Sequence, residues 1–135
     1  MKNRDRSGEI NTEFRVIIAG SRSFDDYDLL CRKCDRFFSA RKPTAILCGE
    51  ARGADLLGKR YAAEHGIPVR SYPADWNTHG RKAGYLRNLD MAENADALIA
   101  CWDGQSRGTS NMIHLAYERG LSIRIIRFGD QEGNC

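Results

Sequence analysis

The chain has 135 residues, 41% of them hydrophobic and 29% charged, with 21 basic and 18 acidic side chains for a net charge of +3. That length suits one domain around one core, and the composition excludes disordered and fibrous classes. So small a positive excess does not announce nucleic-acid binding, and no apolar run approaches the roughly 18 residues of a membrane span.

In chain order, residues 1–13 (MKNRDRSGEINTE) are polar, charged and without period, and read as a flexible tail. They hold no signal-peptide apolar region, so a cytoplasmic location and no membrane partner are expected. Residues 14–128 alternate short apolar β-rich runs with longer amphipathic ones. The predicted strands are RVIIA, TAILC, VRSY, ALIAC and IRIIRF. Helical patterns run at about Asp25 to Ala40, Ala54 to His65, Arg81 to Asn94 and Ser110 to Arg119. Gly66 and Gly120 stand just past two of these, where a helix stop wants a left-handed residue. The stretch from Ala74 to Gly84 is polar and long, and reads as a lid or an interface loop. Residues 129–135 read as a second tail.

This rhythm predicts an α/β fold, a single Rossmann-like doubly wound parallel sheet of about five strands in the order 3-2-1-4-5 with helices on both faces. Parallel strands need crossover connections, and right-handed crossovers place the helices on the two faces. Such sheets bind ligands beyond the carboxyl ends of their strands, where strand order reverses.

The loops at those ends share a chemistry. Gly20, Ser21 and Arg22 follow the first strand, and Gly49, Arg52, Gly53 and Asp55 follow the second. Asp103, Ser106, Arg107, Gly108 and Thr109 follow the fourth. Glycine lets backbone approach an anion, helix N-termini offer free N–H groups, and hydroxyls and guanidinium groups complete a cradle. In the order 3-2-1-4-5 all three loops meet at one crevice, which predicts a phosphate-bearing ligand. Part of the pattern has a plainer reading: Gly20 and Gly49 as turns, Ser23 and Ser110 as helix caps, Asp55 as a charge on a helix dipole. Caps do not account for the arginines. Sixteen of the 21 basic residues are arginine, whose planar fork suits bidentate contact with phosphate or carboxylate.

Five cysteines is an odd number for a chain without a secretory signal, so no disulfide framework is expected. Cys31 and Cys34 form a CxxC one helical turn apart, with no second pair at zinc spacing; Cys48 and Cys101 end strands and read as core. His65, His79 and His114 show no metal spacing and no nucleophile partner. No metal site and no required cofactor are predicted.

GSRSF, GEARGAD, PADWNTHGRKAGYLRNLDMAENADALIA and WDGQSRGT together resemble the YspA-type branch of the SLOG superfamily, over about Arg15 to Phe128. That group of Rossmann-like domains also holds the Lonely Guy phosphoribohydrolases, the DNA-processing protein DprA and nucleotide-sensing domains. The resemblance implies a nucleotide or nucleotide-derived ligand, a nucleoside phosphate or an ADP-ribose relative. It adds Asp75 and Trp76 from PADW, and Arg87 and Asn88 with Met91 from RNLDM, to the candidate ligand contacts. Trp76 could then stack on a base and Arg87 clamp a phosphate, while Met91 reads as packing. The resemblance also implies a homodimer or higher homo-oligomer, because related domains pair through helices beside the site. The phosphoribohydrolases carry a glutamate three positions beyond a glycine-rich GGxGT, where this chain has Met112, and an Arg-Lys pair where it has Arg87-Asn88. An apolar side chain cannot transfer a proton or steady an oxocarbenium-like charge, so no catalytic residue is assigned.

The expected function is therefore a nucleotide-ligand sensor or sequestering module. The first alternative is a hydrolase of a nucleotide's N-glycosidic or phosphoryl bond, with Asp103, Asp75 or Glu50 as a possible carboxylate. The second is a single-stranded nucleic-acid binder of DprA type, which the modest charge and few free aromatics do not favour.

Overall fold

The computed structural model describes residues 3–4 and 10–129. Within the two predicted tails, Asn3–Arg4 pairs antiparallel with Ile10–Asn11, and residues 1–2, 5–9 and 130–135 lie outside the described residues.

The domain is a five-stranded parallel sheet. Its strands are β1 (Arg15–Gly20), β2 (Ala45–Cys48), β3 (Val69–Ser71), β4 (Ala97–Trp102) and β5 (Ser122–Arg127). They stand in the order β3-β2-β1-β4-β5, the predicted 3-2-1-4-5. Strand order reverses at β1, whose neighbours are β2 on one side and β4 on the other. Val16 is in register with Ile46 and with Ala97.

The helices are α1 (Tyr27–Phe37), α2 (Ala54–Glu64), α3 (Trp76–His79), α4 (Ala83–Glu93) and α5 (Arg107–Glu118). Successive strand residues point to opposite faces, so each central strand feeds two cores. Val16, Ile18, Ile46 and Ile99 pack with Leu30 and Cys34 of α1 and Tyr61 and Ala62 of α2. Ile17, Leu47, Leu98 and Ala100 pack with Met91 and Ala92 of α4 and with Met112, Leu115 and Ala116 of α5 on the other face. Helices on both faces are why these strands read as continuous apolar runs rather than alternating ones.

Helix stops follow the sequence reading, and helix starts depart from it in two places. Ile67 N–H reaches Ala62 O at 2.9 Å and Leu121 N–H reaches Ala116 O at 3.0 Å, closing α2 and α5 around Gly66 and Gly120. The cap of α1 is Asp26, which accepts from Leu29 N–H at 3.0 Å, and not Ser23. The cap position of α5 is Ser106, and not Ser110, so Arg107, Gly108 and Thr109 belong to the first helical turn and not to a loop. Gly108 misleads there because the first turn makes few intrahelical bonds, and glycine costs it little. The Ala74 to Gly84 stretch holds the short helix α3 and a 3₁₀ turn at Gly80–Lys82.

At the amino end of the sheet Arg15 and Asp96 form a tight pair. Asp96 Oδ2 accepts from the Arg15 backbone N–H at 2.9 Å and from Nε at 3.1 Å, and Oδ1 accepts from Nη2 at 3.2 Å. The described cysteines are free thiols. Burial pushes the Cys34 thiol far up and the Cys48 and Cys101 thiols up to about 12, away from thiolate chemistry. Among the described residues no helix is long and apolar enough to cross a membrane, and no group of three histidine, cysteine or acidic side chains is placed to hold a metal.

Candidate functional site

The carboxyl ends of β1, β2 and β4 surround a cavity of about 620 Å³, within the usual range for small-molecule sites. Three loops are drawn together there by one residue. Ser21 donates its N–H to Cys101 O at 2.8 Å, and its carbonyl accepts from Ala54 N–H at 3.3 Å. Its hydroxyl lies 2.8 Å from Ser106 Oγ.

Glycine makes this convergence possible at two points. A Cβ on Gly20 would stand 2.1 Å from Cys101 O, and one on Gly53, at φ +83°, would stand 2.5 Å from Ser21 O. No side chain fits either place.

Polar burial is concentrated at this cavity. Among the described residues, Ser21, Asp55, Asn88 and Thr109 are the polar or charged side chains that are buried, and all of them line it. Asn88 Nδ2 donates to Asn111 Oδ1 at 2.9 Å and to Gly108 O at 3.3 Å, tying α4 to the start of α5. Arg87 Nη1 donates to Gly49 O at 2.5 Å and Nε donates to Asn88 Oδ1 at 2.9 Å, tying α4 to the loop after β2.

Asp55 sits 4% exposed in the first turn of α2. Its Oδ2 accepts from Ala51 N–H at 3.2 Å. Burial pushes its carboxyl up to about 6, against the pull of the Ala51 N–H, the Arg87 charge and the Gly20 N–H. The carboxyl therefore changes charge near neutrality inside the cavity.

The helix starts are closed in different ways. Asp26 caps α1 and Asp75 caps α3, each accepting a first-turn N–H. At α2 and α5 neither Gly53 nor Ser106 supplies a side-chain cap bond. Ser106 is drawn aside toward Ser21 and Asp103. The first turn of α5, whose cap position makes no side-chain cap bond, therefore lies in the cavity wall through Arg107, Gly108 and Thr109, where a helix N-terminus favours an anion; α2 reaches the wall through Asp55.

Of the candidate residues, Gly20, Ser21, Arg22, Arg52, Asp55, Trp76, Arg87, Asn88, Ser106, Arg107, Gly108 and Thr109 line the cavity together. Gly49, Gly53, Asp75 and Asp103 do not. Gly49 receives Arg87 from beneath, Gly53 abuts Ser21, and Asp75 accepts from Thr78 N–H at 3.2 Å. Asp103 Oδ1 accepts from the N–H groups of Ser106 and Gln105 at 2.8 Å each, and these bonds hold its carboxyl below the usual range. It shapes the loop after β4.

The structure adds Arg81, Tyr85 and Asn111 to the wall. Arg81 and Tyr85 fall in and after the unassigned middle stretch, and only the turn at Gly80–Lys82 carries them to the mouth. Trp76 and Tyr85 are 52% and 49% exposed there, unusual for large rings without a partner surface. Around the wall stand five guanidinium groups, Arg22, Arg52, Arg81, Arg87 and Arg107, and a single carboxyl, Asp55.

The comparisons with known proteins agree with this geometry. The model of the YspA, cpYpsA-related SLOG family (YAcAr) matches residues 14–79, from β1 to α3, and so takes in the loops after β1 and β2. The gene 61 protein of Mycobacterium phage D29 is 36% identical over 127 residues, an alignment that covers 87% of this chain and 98% of that protein. With the strand order, the converging loops and these two matches in agreement, this chain belongs to the YspA, cpYpsA-related SLOG family.

Proposed function

We propose that this domain binds a nucleotide or nucleotide-derived ligand through its phosphate, as a sensor or sequestering module. One observation carries the reading: the first turn of α5, without a side-chain cap, and five arginines converge on one cavity. A helix N-terminus and guanidinium forks each favour an anion. The exposed rings of Trp76 and Tyr85 supply flat apolar faces of the kind a base stacks on. Family membership is consistent with a nucleotide-related role. Self-association through the helices beside the site belongs to the same proposal, and light scattering over a concentration series tests it.

A second reading is hydrolysis of an N-glycosidic or phosphoryl bond in the same ligand. It is favoured by Asp55, a cavity carboxyl raised to about 6 that could hold a proton for a leaving group. Met112, buried in the wall, supplies none.

The test is thermal unfolding with a panel of nucleoside monophosphates, cyclic nucleotides, NAD and ADP-ribose, with product analysis of the same samples. A ligand at a hundredfold excess over its dissociation constant stabilises by about 2.7 kcal/mol. Stabilisation without product, lost in Arg87→Ala, supports the sensor. Released base or ribose phosphate makes the protein an enzyme, and a flat panel overturns both readings.

A further inference from the structure

The cavity adjoins a second compartment of about 400 Å³. Arg22, Arg52, Trp76 and Arg87 wall both spaces, and the far end of the second is formed by Gly49, Glu50, Pro73 and Ala74. Glu50 lies at φ +66°, the one non-glycine residue with positive φ among the described residues. An L side chain in that region is strained, and such strain collects where a side chain must be aimed.

Two elements hold the Glu50 carboxylate. It accepts from Ser71 Oγ at the end of β3 at 2.5 Å and from Lys59 Nζ of α2 at 3.0 Å. The Ser71 hydrogen bond above all, with Lys59 beside it, keeps the carboxyl below its ordinary range despite partial burial, so it is ionised at neutral pH. A carboxylate offers about four acceptor positions. Ser71 and Lys59 orient it without exhausting them.

An ionised carboxylate repels phosphate and accepts from hydroxyls, so the two compartments ask for different chemistry. The first is cationic and suits phosphate. The second ends in a fixed acceptor with guanidinium groups between it and the first. In doubly wound sheets that bind dinucleotides, an acidic side chain takes a ribose hydroxyl from an analogous place.

Resting on the anion-binding reading above, we propose that the second compartment is a sugar subsite, in which Glu50 accepts hydrogen bonds from ribose hydroxyls, and that the ligand has two parts joined by a diphosphate lying across Arg22, Arg52 and Arg87. Trp76 lines both compartments, and its exposed ring remains the face for a base.

Isothermal titration of the full chain with pyrophosphate, ADP and ADP-ribose tests this. ADP and ADP-ribose share the diphosphate and differ by the distal sugar. Wild-type chain should bind ADP-ribose at least tenfold more tightly than ADP, and Glu50→Gln should collapse that ratio while ADP binding holds. Equal affinity for the two in the wild type, which needs no variant and so no refolded mutant, overturns the subsite. So does a ratio that survives Glu50→Gln. Binding of pyrophosphate with a flat ratio removes the subsite alone, whereas no binding by any of the three removes the anion-binding reading and the subsite with it.

Discussion

Two aspartates at opposite ends of the same sheet are shifted in opposite directions. Asp96, at the amino end, feels burial pushing its carboxyl up, yet the Arg15 fork and backbone N–H more than offset this and hold it below the ordinary range. Asp55, at the carboxyl end, receives backbone N–H groups but no guanidinium within salt-bridge distance, and burial carries it up to about 6. The first is a closed structural pair. The second is a charge the fold leaves short of a partner in a cavity lined by arginines, and perturbed carboxyls of this kind gather at functional sites. Stability is invested at one end of the sheet and held back at the other.

The contrast breaks most completely if the carboxyl end cannot form. Gly20→Val forces a branched side chain onto Cys101 O, 2.1 Å from its ideal Cβ. It should cost about 3 kcal/mol or more in denaturant unfolding, with loss of any ligand-induced thermal shift. Unfolding near the wild-type midpoint would mean the strands part there without harm.

pH sharpens the comparison, because the two carboxyls act with opposite sign. Asp55 has a folded pKa raised from the ordinary ~3.9 to about 6. Its contribution is therefore fully present below pH ~4 and is lost as pH rises through 6, a drop on the order of 2–3 kcal/mol. Asp55→Asn should remove this drop, so the variant gains on the wild type between pH 4 and 7 in paired denaturant titrations. Asp96 has a depressed folded pKa, so its contribution is present above pH ~4 and fades as pH falls below it. Arg15→Ala should cost about 1–3 kcal/mol at pH 7, and the cost should shrink in acid. Ligand-induced stabilisation should be unchanged in Arg15→Ala.

The smallest effect tests the loop junction itself. Ser106→Ala removes the hydroxyl shared with Ser21 and Asp103 and should cost about 1 kcal/mol. The freed Ser21 hydroxyl remains beside the cavity, so a change in ligand affinity larger than the change in stability would show that Ser106 touches the ligand directly.

Much of this was legible in the residues. Ser21, Asp55, Asn88 and Thr109, the buried polar side chains of the cavity, all stood among the sequence candidates. Three of them lie in or beside glycine-rich strand ends, and Asn88 came from the family resemblance. Asp103 looked like a ligand contact because a loop aspartate next to glycine reads as exposed chemistry, and only the fold shows it satisfying the N–H groups of its own turn. Arg81 and Tyr85 escaped notice for the converse reason, and Glu50 was named as a possible hydrolytic carboxylate but not as a binding residue. Their roles depend on a turn at Gly80–Lys82 and on a strained backbone at one residue, and neither leaves a periodic trace.

The sequence by itself determined the alternation of strands and helices and the end of the sheet at which polar loops gather, and the reversal at β1 was the expected one of the two common doubly wound orders. These follow from local periodicity, from the chirality of crossovers and from the need to bury both sheet faces. Only the tertiary structure decided which helix starts remain uncapped, which carboxyl is paired and which is stranded, and that a second compartment opens beside the first. Each of those depends on which polar group, distant in the chain, arrives within hydrogen-bond reach, and such arrivals are set by packing and not by spacing along the sequence.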